Sequence, residues 1–142
     1  TMRNELDLAF FASRYAWTYL ARRGGVIINV ASIAAWHGSR EVGLGPHSAA
    51  KAAVVALTRQ LSLEGAASGI RAVSISPGFI RTLGTEDALR DENIRNAIVK
   101  SVPLARPGEP AEIVSVALFM ASSGASFITG TDIVVDGGRL SA

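Results

Sequence analysis

Cysteine is missing altogether from these 142 residues. Its absence excludes disulfides, thiolate chemistry and cysteine-ligated zinc in one step. With only two histidines, a metal centre is not expected. Charge is scarce and nearly balanced: 18% of residues are charged and the formal net charge is +2. No basic run is longer than Arg22-Arg23. Nucleic-acid binding wants a cluster or stripe of positive charge, so no nucleic-acid partner is expected. No apolar run reaches the roughly 18 residues needed to cross a bilayer, and no signal peptide is visible. No membrane partner is expected either. Apolar residues, by contrast, make up 49% of the chain. That is the composition of a folded chain, and the length suits one ordinary domain. The lack of cysteine fits a reducing compartment.

Apolar patterning orders the chain. The stretch at about 3–22 reads as a helix with apolar residues on most of its circumference, either buried or at an interface. Gly24-Gly25 stops it. Val26-Ile27-Ile28-Asn29-Val30 is a short β-branched run of the kind that suits a strand covered on both faces. A Gly-, Ser- and Trp-bearing loop at 32–46 leads to a second helix at about 47–67. That helix is rich in Ala49, Ala50, Ala52, Ala53 and Ala56, small residues that permit close packing. A second strand is expected from Ile70 to Ser76, closed by Pro77-Gly78. Residues 85–100 look helical, polar and loosely packed, like a mobile flap. The last helix follows Gly108, with Pro110 and Glu112 in its first turn. Ile133-Val134-Val135 is the third strand, ended by Asp136-Gly137-Gly138. Strands alternating with helices imply an α/β fold with a parallel sheet.

Several segments are more specific. Gly25-Val-Ile-Ile-Asn-Val-Ala-Ser32 resembles the short-chain dehydrogenase/reductase strand that ends at the catalytic serine. His47-Ser-Ala-Ala-Lys51 and the helix after it resemble the family's active-site helix, which begins Tyr-x-x-x-Lys. Gly69 to Thr82, with Pro77-Gly78-Phe79-Ile80, is similar to the strand and loop that cover the nicotinamide. Arg106 to Ile113 and Ile128 to Gly138 resemble the last helix and strand. The match runs in order along nearly the whole chain. It implies a Rossmann-like doubly wound parallel sheet in incomplete form, the C-terminal three strands with their helices. Residues 1–142 would then be a single partial domain, with the dinucleotide-binding half before Thr1.

The resemblance implies an NAD- or NADP-dependent oxidoreductase that moves a hydride between the nicotinamide and a secondary alcohol or ketone. It assigns catalytic places to Ser32, His47 and Lys51, and cofactor contacts to Lys51, Pro77, Gly78, Ile80 and Thr82. It also implies a cytoplasmic homo-oligomer, paired through the helices at about 3–22 and 47–67. Two features depart from the family. His47 stands where the family has tyrosine. The family's relay asparagine falls at Glu5, with Asn4 one residue off, and neither is assigned a role. Lys51 lies at i+4 from position 47, on the same helix face. A nearby cation lowers a histidine's pKa from its ordinary value of about 6.5. A neutral His47 is therefore expected, better suited as the base of an alcohol oxidation than as the acid of a ketone reduction.

Other readings rest on less. Ser32 could be a turn former, Lys51 a solvated surface cation, and His47 a helix cap in a degenerate site. His37 could line the substrate pocket or be solvated. Gly43-Leu44-Gly45 follows a loop, so it is a poor phosphate fingerprint. A hydrolase nucleophile elbow needs Gly-x-Ser-x-Gly, and Ser32 is flanked by Ala31 and Ile33. The alternative function is a non-catalytic, oligomerising scaffold of the same fold. The substrate, and the choice between NAD and NADP, are not written in these residues.

Overall fold

A computed structural model describes residues 1–39 and 43–142. Positions 40–42, part of the loop expected at 32–46, lie outside the described residues. Strands β1 (Gly25–Val30), β2 (Ile70–Pro77) and β3 (Asp132–Val135) form one parallel sheet in the order β1-β2-β3. The register sets Val30 beside Ile75 and Pro77 beside Val135, so the carboxyl ends share one edge. In open α/β sheets that edge is where ligands bind.

The first helical segment opens with a wide π turn, Arg3–Asp7, and continues as α1, Leu8–Leu20. Helix α2 spans Gly45–Gly65, starting two residues earlier than expected because Pro46 is accommodated in its first turn. A tight turn at Ala66–Ser68 follows, and Gly69 ends it in the left-handed conformation at φ 67°. At Gly65 an added Cβ would lie 2.8 Å from Ile70 Cβ, which is how helix end and strand start come so close. Residues 85–100 form two short helices, α3 (Glu86–Arg90) and α4 (Glu92–Lys100). Asp91 divides them: its extended backbone breaks α3, and its carboxylate accepts from Asn93 and Ile94 N–H to cap α4. The expected loose packing fails at Leu89, which is buried. Helix α5 spans Pro110–Ala121.

Helices cover both faces of the sheet. On one, Ala31, Val54 and Val55 are buried together, with Leu6 and Ala9 packed on them. On the other, Val73, Met120 and Ala125 gather Val26, Ile28, Val116 and Ile133. A buried polar chain ties α2 to β1. Asn29 donates to Thr58 Oγ1 at 2.9 Å, and that hydroxyl donates to the Val54 carbonyl at 2.8 Å. Helix α1 is not buried within this chain. Ser13 is its one buried residue, while Leu8, Phe11, Tyr15 and Tyr19 are exposed.

Candidate active site

Ser32 lies just past the end of β1 with extended backbone. Its Oγ accepts from Ala34 N–H at 3.1 Å and caps the short turn Ile33–Ala35. The turn-forming role is real, and it uses only an acceptor. Among the described residues nothing accepts the Ser32 hydroxyl hydrogen.

Helix α2 brings the other two expected residues to the same edge. His47 is in its first turn and Lys51 one turn on. Lys51 Nζ donates to the Val30 carbonyl at 2.9 Å, two residues before Ser32. That bond takes one ammonium hydrogen and leaves two. Lys51 is thus a strand-end cation and not a freely solvated one. His47 does not cap the helix, since the cap position is Leu44 and no side chain bonds there. Its Nδ1 instead meets Glu5 Oε1 at 2.8 Å, with the side chains 32% and 22% exposed. Glu5 Oε2 is buried with no partner among the described residues. The sequence puts Lys51 beside His47 and marks Glu5 only as the residue at the family's relay-asparagine place; its contact with His47, across 42 positions, appears only in the structure.

The expected cofactor contacts lie further along the edge. Pro77 ends β2, and Gly78 N–H donates to the Val135 carbonyl at 2.9 Å. A Cβ on Gly78 would stand 2.7 Å from Asp136 Cα, so packing against the end of β3 already demands glycine there. Ile80 bridges to Gly108, and among the described residues nothing accepts its N–H. Thr82 is exposed; its N–H donates to Thr85 Oγ1 at 2.8 Å, and the two hydroxyls are 3.2 Å apart. A cleft of about 470 Å³ opens between Phe79-Ile80, the 103–108 loop and the end of β3. It contains Ile80 and none of Ser32, His47 and Lys51. Beside it Arg106 grips Glu112 through two bonds of 2.7 and 2.8 Å. That hydrogen-bonded guanidinium, with the Glu109 N–H, holds the Glu112 carboxyl down at about 2.

His37 Nδ1 contacts the adjacent Gly38 carbonyl at 2.7 Å, a local turn bond. The neighbouring Trp36 is anchored instead, donating to Asp132 at 2.9 Å. Among the described residues no cluster of three or more acidic or histidine side chains could hold a metal, and no helix is long and apolar enough to cross a membrane. The donors at this strand edge suit the reacting end of a nicotinamide nucleotide: among the described residues, the Lys51 ammonium has two hydrogens without an acceptor, and the Ser32 hydroxyl and the Ile80 N–H have no acceptor. The sequence holds no Gly-x-Gly-x-x-Gly run, the fingerprint that seats a pyrophosphate on a helix N-terminus.

A family model described as enoyl-(acyl carrier protein) reductase matches residues 1–139. The chain belongs to the short-chain dehydrogenase/reductase family. Within that family it is 45% identical over 135 residues to 3-oxoacyl-(acyl-carrier-protein) reductase FabG of Chlamydia pneumoniae, covering 95% of this chain and 53% of that reductase. A gluconate 5-dehydrogenase from Burkholderia cenocepacia, solved in complex with NADP and tartrate, superposes with a TM-score of 0.90 at 30% identity, over 96% of this chain and 53% of that one. A 4-hydroxyisoleucine dehydrogenase mutant complexed with NADH and succinate gives 0.90 at 33%, over 96% and 56%. The chain spans about half the length of the relatives it matches. The short-chain dehydrogenase frame and its parallel sheet are therefore those expected from the motifs.

Proposed function

We propose that this chain carries the reacting half of an NAD- or NADP-dependent oxidoreductase acting between a secondary alcohol and a ketone. One contact carries the reading. Lys51 Nζ on the Val30 carbonyl fixes the first turns of α2 against the strand end that bears Ser32. The cofactor classes are supported by relatives solved with NADP and with NADH. A bound nicotinamide supplies the acceptor for the carbinol hydrogen, taken as hydride. Ser32 donates its free hydroxyl hydrogen to the substrate oxygen. His47 takes the hydroxyl proton at Nε2, so the alcohol loses a proton and a hydride and becomes a ketone. Lys51 holds the ribose hydroxyls with its two remaining hydrogens. The Ile80 N–H would donate to the carboxamide, and Pro77-Gly78 would shape the loop beside it. Thr82 reaches phosphate once its hydroxyl turns from Thr85.

Residues 1–142 then form one partial Rossmann domain whose pyrophosphate-binding half lies outside them, consistent with spanning about half of each relative. A cytoplasmic setting fits the absence of cysteine. Helices α1 and α2 pair with a second copy, and the exposed aromatic stripe on α1 supports this. A scaffold without catalysis finds no support among relatives that are named as reductases and dehydrogenases. The test is an assay of the complete protein with NAD⁺ or NADP⁺ and a panel of secondary alcohols. Formation of reduced nicotinamide with at least one alcohol is expected; none with any alcohol, or with the matching ketones in reverse, would sink the proposal.

A further inference from the structure

From the contact between the π turn and α2, we infer that Glu5 is a positioning residue for His47, holding its Nδ1–H so that Nε2 is presented as the proton acceptor. This deepens the proposed function and rests on it for the chemistry, though the orientation itself can be tested separately. A carboxylate offers only acceptors. The 2.8 Å contact from Glu5 Oε1 to His47 Nδ1 therefore places the ring hydrogen on Nδ1. In a neutral imidazole the remaining nitrogen, Nε2, is then the bare one.

The surroundings of Glu5 strengthen the assignment. Its second oxygen, Oε2, is buried with no partner among the described residues. A carboxylate withdrawn from water on one oxygen directs its interaction into the bond it does make. When Nε2 takes a proton, the imidazolium forms in contact with that carboxylate. The two carriers are joined by packing. Leu6 and Ala9, on the same N-terminal segment as Glu5, lie on the Val54-Val55 cluster of α2. Glu5 is thus held to the helix that carries His47, and the imidazole is fixed from outside its own helix. Lys51 is committed to the Val30 carbonyl. The carboxylate, not the ammonium, is the charged group in direct contact with the ring.

The experiment uses the complete protein with Glu5→Gln and Glu5→Ala. The first readout is the His47 tautomer, from long-range ¹H–¹⁵N correlation spectra taken where the imidazole is neutral. Wild type should show hydrogen on Nδ1 and a bare Nε2. Glu5→Ala should lose that preference, and Glu5→Gln, which keeps an acceptor oxygen without the charge, should retain most of it. The second readout is turnover. In Glu5→Ala, kcat should fall about tenfold or more while KM for the alcohol stays within about twofold. In Glu5→Gln, kcat should lie between the two. An unchanged tautomer in Glu5→Ala overturns the inference, as does a change in KM with kcat intact. If wild type has no activity, the functional proposal fails, while the tautomer spectra still decide the role of Glu5.

Discussion

At position 47 an imidazole takes its orientation from a carboxylate 42 residues earlier. Ser32, His47 and Lys51 are legible in the sequence because each lies in a contiguous segment. Ser32 closes a strand, and His47 and Lys51 share one helix face at i, i+4. Glu5 is not legible in the same way. Its meaning depends on a π turn meeting α2, a tertiary contact that no local spacing announces. By spacing alone, Lys51 is the charge beside His47. The structure turns Lys51 towards the Val30 carbonyl and gives His47 a carboxylate partner. The proposal of His47 as a base then rests on the Glu5 contact and no longer on Lys51.

Among the elements, the three strands and the long helices follow from apolar runs and periodicity, within a few residues at their ends. The 85–100 segment does not, because Asp91 acts as a cap only once the chain is seen to break there. The start of α5 offers a sharper check. Glu112 accepts from Glu109 N–H at 2.8 Å and pairs with Arg106. These bonds favour the ionised form and lower its pKa from 4.5 to about 2. A depressed carboxyl contributes stability above its unfolded pKa and loses it as the pH falls through the folded one. The Glu112 contribution is therefore complete above 4.5 and fades as the pH drops towards about 2. The pair is solvent-exposed, so the effect is small. Urea unfolding of wild type and Glu112→Gln at a series of pH values should show a gap in midpoint that closes over that acid range. A gap independent of pH would contradict the assignment.

For the molecule as a whole, the sheet is covered on both faces, yet apolar surface remains outside. Leu8, Phe11, Tyr15 and Tyr19 recur at helical spacing along α1, and Tyr15 and Tyr19 are each 73% exposed. A stripe of this kind suits the pairing proposed for α1. If α1 pairs with a second copy, Tyr15→Arg in the complete protein should shift the mass measured by light scattering or sedimentation towards the monomer. An unchanged oligomer would place the contact elsewhere. The proposed proton transfer at this edge belongs to His47. It is tested most directly by the turnover of the complete protein with His47→Ala, with alcohol as substrate and cofactor binding measured in parallel. A fall in kcat on the order of a hundredfold or more, with cofactor binding retained, is expected. Wild-type turnover in the alanine variant would contradict it.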